Sequence, residues 1–137
     1  MDFEYCYQSS FFLKKDNSSM QHITCRLNSG FVIVLARVKI TVLKRIDPKN
    51  VFGESVPKNP LTGKEHEKCS RFEEGQEFIV ENCGEMPAGF CSWAWRDIYK
   101  DLTVLQYGGD FPWTEKGEAI TCCSDGARPV SFRIIRI

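Results

Sequence analysis

The sequence predicts an α+β domain: a small antiparallel or mixed sheet, with barrel-like curling left open, and one main helix packed on it. Three observations predict it. Residues 37–46, "RVKITVLKRI", alternate apolar and polar side chains, which is the period of a strand with one buried face. Residues 91–109, "CSWAWRDIYKDLTVLQYGG", carry the one good helical stripe. Residues 118–123 and 128–137 read as two strands around "SDGA", and Asp-Gly between strand-like runs is a hairpin cue.

The elements follow in order. Residues 1–35 show no sustained period, with Ser and Asn scattered through them. They are expected to be a weakly structured N-terminal extension, and residues 36–137 a single small α+β domain. In the first strand Val38, Ile40 and Val42 share the buried face, and Lys39, Thr41 and Leu43 the other. Asp47 suits the cap of a short helix and Pro48 its first turn. A polar loop from about Gly53 to Lys68 holds Pro57, Pro60 and Gly63. It is long for a compact domain, the mark of a functional or a mobile loop.

"EEGQ" makes a turn and "EFIVE" a strand, and "GEMPAG" is a loop. Ser92 is the expected N-cap of the main helix. Trp95, Ile98, Leu102 and Leu105 form its core stripe, and Gly108 and Gly109 end it. "DFPWTEKG" is a loop with two aromatics. In the strand at 118–123, Ile120 and Cys122 are expected to face inward and Thr121 and Cys123 outward. The last strand is apolar on both faces, Phe132 and Ile134 on one and Ile135 and Ile137 on the other. Such a strand is central in its sheet or covered by a partner.

Composition narrows the classes. An apolar fraction of 42% and a charged fraction of 26% are ordinary for a soluble domain. A formal net charge of zero argues against nucleic acid as a partner. The longest apolar run, "FVIVLA" at 31–36, is far short of the roughly 20 residues that span a bilayer, so no membrane partner is expected. That run is also a poor signal-peptide core, and the expected location is cytoplasmic. Seven cysteines there stay reduced, and an odd number fits poorly with a closed disulfide framework. A homo-oligomer is left open.

Chemistry gathers at the start of the main helix. Cys91 immediately precedes the expected cap, where the helix dipole and free N–H groups favour a thiolate. The alternative is a small buried hydrophobe. Trp93 lies roughly 200° round the helix from Trp95, so the two cannot serve one face. Trp93 groups with Asp97 and Lys100, and either packs under a loop such as "DFPW" or lines a cavity. Asp97 is a candidate base or ligand-orienting group beside Cys91; its bland reading is a solvated surface carboxylate. Asp110 and Asp125 read as turn residues.

A metal set is the second candidate. His66 precedes Cys69 by three residues in the long loop, and with Cys91, Cys122 and Cys123 these supply imidazole and thiolate for zinc or iron. The signal is weak, because no Cys-x-x-Cys pair exists. Neighbouring Cys122 and Cys123 point to opposite faces of a regular strand. With only His22 and His66 in the chain, a cysteine–histidine dyad has little choice of partner. Nucleophile-elbow, phosphate-loop and dinucleotide signatures are missing.

The segments "VKITVLKR", a cysteine followed by "FEEGQEFIVE", "MPAGFCSWAWRDIYKDL", "GGDFPW" and "CCSDGARPVSFRIIRI" span most of residues 37–137. Together they resemble a family of small uncharacterised prokaryotic proteins. The family's cysteine segment has proline right after the cysteine, where this chain has Ser70. The resemblance implies one small cytoplasmic domain and brings no activity, cofactor or catalytic residue. It also implies that the protein begins just before the first strand, so residues 1–34 are expected to be an upstream extension, with translation starting near Leu35.

Two functional readings follow. One is a cysteine-lined metal-binding or reactive-thiol site at the start of the main helix. The other is a non-catalytic module whose sheet and aromatics Trp93, Phe111 and Trp113 bind a small ligand, a partner protein or single-stranded nucleic acid. Whether the protein is an enzyme is open in both.

Overall fold

A computed structural model of the protein describes residues 23–26, 32–82 and 84–137. The fold is α+β. Two short strands, β1 (Ile23–Arg26) and β2 (Val32–Leu35), pair antiparallel, with Ile23 opposite Leu35. The rest of the proposed extension at 1–35 lies outside the described residues. A separate four-stranded sheet holds β3 (Val38–Arg45), β4 (Glu77–Val80), β5 (Glu118–Cys122) and β6 (Val130–Arg136). Its order is β4-β3-β6-β5, antiparallel throughout, and it is not closed into a barrel.

Alternation builds this sheet. Val38, Ile40 and Val42 of β3, Phe78 and Val80 of β4, and Val130, Phe132 and Ile134 of β6 are buried on its inner face. The last strand is central, between β3 and β5, as its two-sided apolar character predicts. A β-bulge falls between Val42 and Lys44 where β3 meets β6. The "EEGQ" turn folds back onto the same place: Gly75, with φ 83°, donates to the Val42 carbonyl at 2.8 Å.

One expected face is reversed. Ala119 and Cys123 are buried, whereas Ile120 is 51% exposed and Cys122 is exposed. The main helix packs against β5, and a small Ala side chain lets a helix approach closely. The bulkier Ile120 is left on the open face of this edge strand.

Two helices complete the domain. α1 (Pro48–Phe52) is capped by Asp47, whose Oδ1 accepts from the Lys49 N–H at 3.0 Å. α2 (Ser92–Gln106) lies on the inner face of the sheet. Its cap is Cys91, one residue earlier than expected: the Cys91 carbonyl takes the first helical bond, from Trp95 N–H at 2.8 Å. The buried stripe is Ala94, Ile98, Leu102 and Leu105. Trp95 is half-buried on its flank, its ring 5.9 Å from Phe90 and 5.8 Å from Tyr99. Gly108, with φ 83°, follows the helix end. Each such Leu or Ile removed from water contributes about 1.5–3 kcal/mol.

Phe72 joins the two layers from the β3–β4 connection. It is buried, and its ring lies edge-on to Phe78, Phe90 and Phe132 at 6.0, 5.0 and 5.2 Å. No helix among the described residues is long and apolar enough to cross a membrane.

Candidate functional site

The long polar loop folds into a small flap. Asn59 organises its tip: Oδ1 accepts from Leu61 N–H at 2.9 Å, and its carbonyl accepts from Gly63 N–H at 2.8 Å. Gly63 has φ 67°, which is why a glycine stands there. Asn59 N–H donates to the Lys64 carbonyl at 2.8 Å, and His66 N–H to the Pro57 carbonyl at 3.1 Å. Lys58 and Glu65 form an isolated antiparallel bridge.

The flap's returning arm faces the end of β3 and the start of α1 across an open cleft of about 580 Å³. Arg45, Asp47, Lys49 and Val56 line one side, and residues 64–68 with Ser70 the other. The Arg45 Nη1 donates to the Cys69 carbonyl at 3.2 Å, which ties strand to arm. Its Nε is shut off from solvent and has no hydrogen-bond partner among the described residues. Next to the cleft, Glu74 accepts from the Arg45 backbone N–H at 3.1 Å. That bond, with Lys44 beside it, holds the Glu74 carboxyl below its ordinary value against the opposing effect of burial.

The predicted thiols are spread around the helix start. Cys69, Cys91, Cys122 and Cys123 are free. Cys69 and Cys91 are half-buried against the core, Cys123 is buried, and Cys122 is exposed. Cys123 Sγ accepts from Val130 N–H at 3.2 Å. Burial pushes its thiol above the ordinary value, against the backbone N–H groups of Asp125 and Val130, which pull the other way. Among the described residues no group of three or more His, Cys, Asp and Glu could hold a metal ion. His66 lines the cleft and Cys122 is exposed, whereas Cys69, Cys91 and Cys123 pack at the core, so the five proposed ligands are not brought together. His22 and the other three cysteine side chains lie outside what is described.

Asp97 is spent on structure. Its Oδ2 accepts from the Ser124 N–H at 2.7 Å and hydroxyl at 2.8 Å. Trp93 is 68% exposed, with the Arg96 guanidinium 4.7 Å over its ring, and so is not packed under "DFPW". The Phe111 and Trp113 rings lie tilted against each other at 5.4 Å, Phe111 against the core and Trp113 75% exposed. They follow the end of α2, a helix of about 22 Å at 1.5 Å per residue. No ring contact among the described residues joins Trp93 to Phe111 or Trp113. Asp125 is a turn residue as expected, its Oδ1 accepting from Ala127 and Arg128 N–H groups at 3.1 and 3.2 Å. Asp110 instead bridges Gly117 N–H, at 2.8 Å, to Arg136.

Sequence reading did not single out Arg45, Lys49, Lys64 or Lys68. The signal that marks them is the length of the polar loop itself, since such a loop usually earns its place functionally. Comparison with protein-family models, with curated proteins and with solved structures gives no match for this chain. The resemblance drawn across residues 37–137 thus receives no family from outside, and the site is argued from its own geometry.

Proposed function

We propose that the protein is a binding module that takes a small polar ligand in the cleft between Arg45, α1 and the flap arm at 64–70. The observation that carries this reading is that the cleft is preformed. Its two walls are held by the flap's own backbone bonds and by the Arg45–Cys69 tie. Ligand sites are typically concave, built in advance and equipped with a few convergent polar groups. Nuclear magnetic resonance screening of a panel of small polar compounds tests it. Ligands should shift the backbone amides of residues 45–49 and 64–70. Hits that map consistently elsewhere would refute the assignment.

A second reading keeps Cys91 as a reactive thiol. It is favoured by one observation: Cys91 caps a 15-residue helix, is half-buried, and spends no side-chain bond on the cap. This reading requires Cys91 to react with a small alkylating agent at neutral pH faster than the more exposed Cys122. Slower labelling of Cys91 would remove it.

A further inference from the structure

Arg45 gives the cleft a chemical preference. One of its donors is committed to the Cys69 carbonyl, while the Nε–H is buried without an acceptor among the described residues. That Nε–H is closed to solvent, so a ligand in the cleft meets the guanidinium at its terminal N–H groups. Arg45 as a whole is half-buried on the cleft wall, so part of the guanidinium opens to a ligand. Its planar fork matches a carboxylate or phosphate edge.

The neighbouring charges are sorted in the same sense. Lys64 and Lys68 lie exposed along the facing arm, with half-buried His66 between them. Of the carboxylates on the wall, Asp47 is engaged in capping α1. Glu65 and Glu67 also line the cleft, so its wall carries Arg45, Lys49, Lys64 and Lys68 against Asp47, Glu65 and Glu67. Four cationic side chains thus meet three carboxylates on the wall, one of which is engaged in the α1 cap, and cations remain in excess.

We infer that the cleft binds its ligand through an anionic group, a phosphate or a carboxylate, anchored by Arg45 and supported by Lys64 and Lys68. This rests on reading the cleft as a ligand site. An open cleft of about 580 Å³ has room for more than a bare oxyanion, so a larger small molecule with an anionic head fits it.

Backbone amide titrations of the full chain with inorganic phosphate, citrate, a neutral sugar and a diamine test the inference. Phosphate or citrate should shift the amides of residues 64–70 saturably, and which of the two does so identifies the group. Arg45→Met should weaken that binding about tenfold or more. Because Arg45 also ties the flap, the double variant Lys64→Ala/Lys68→Ala provides an independent reading from exposed side chains; about a threefold loss or more is expected. If the sugar or the diamine shifts these amides and neither anion does, the anionic preference is wrong and the cleft reading stands. If none of the four shifts them, both fall.

Discussion

Asp97 Oδ2 accepts two hydrogen bonds from Ser124, at 2.7 Å from the backbone N–H and 2.8 Å from the hydroxyl. The pair joins the second turn of α2 to the turn between β5 and β6, directly after buried Cys123. Arg96 completes the arrangement, with Nη2 3.1 Å from Asp97 Oδ1 and 3.5 Å from Ser124 Oγ. Asp97→Ala should therefore destabilise the fold by about 1.5–3 kcal/mol, the range for hydrogen bonds to a charged acceptor. Asp97→Asn keeps an acceptor without the charge and should fall between. Urea unfolding measures both, and an Ala variant with an unchanged midpoint would show that the tie contributes nothing.

The same carboxylate sets a pH dependence. Burial alone would raise the Asp97 pKa, but the two bonds from Ser124 and the Arg96 guanidinium outweigh it, and the net direction is down. Asp110 is lowered as well, first by the Gly117 N–H and then by Arg136. A carboxylate depressed in the folded state adds stability above its unfolded value, and that stability is lost as pH falls through the folded one. The unfolding free energy should thus decline once pH drops below the ordinary aspartate value of 3.8. An Asp97→Asn/Asp110→Asn variant should be weaker at neutral pH and show a flatter acid limb. Equal acid slopes in parent and variant would contradict the assignment.

Much of this fold was legible because its signals are local. The alternation of β3, the Asp47–Pro48 helix start and the two-faced β6 each follow from residues close in sequence. What failed needed tertiary information. Ile120 is more apolar than Ala119, so hydrophobicity alone turns β5 the wrong way; the helix packed over that strand decides for the smaller side chain. Phe72 sits beside a turn and belongs to no regular element, yet three aromatic rings converge on it. The candidate site was the least legible part. Arg45 meets the flap arm through the Cys69 carbonyl, and a backbone acceptor leaves no trace in residue type.

The cysteines should separate by burial. Cys122 is exposed on an edge strand, whereas Cys123 is buried and its thiol is pushed up by that burial. A raised pKa lowers the thiolate fraction, and thiolate is the nucleophile. Under native conditions at mildly alkaline pH, iodoacetamide should modify Cys122 well before Cys123, which should yield only with denaturant. Peptide mapping by mass spectrometry distinguishes the neighbours through fragment ions. Comparable native rates at both positions would mean that the β5–β6 turn opens readily and that the Cys123–Val130 contact is weak.

Gln106 is the sharpest anomaly in the core. It is 1% exposed at the end of α2, and neither its Oε1 nor its Nε2 has a hydrogen-bond partner among the described residues. Its backbone carbonyl is used, accepting from Ala36 N–H at 3.0 Å, so among the described residues only the side-chain amide lacks a partner. Burying an amide without partners costs about 1–3 kcal/mol on mutational scales. Gln106→Met has a similar length and no polar group to desolvate, and should be neutral or stabilising by up to about 2 kcal/mol. Gln106→Ala should instead destabilise, because the cavity it leaves outweighs the relief. Thermal and urea unfolding of the pair separate the two effects. A Met variant destabilised as much as the Ala variant would mean that the amide is satisfied in solution, and the position would then be a polar contact rather than a packing one.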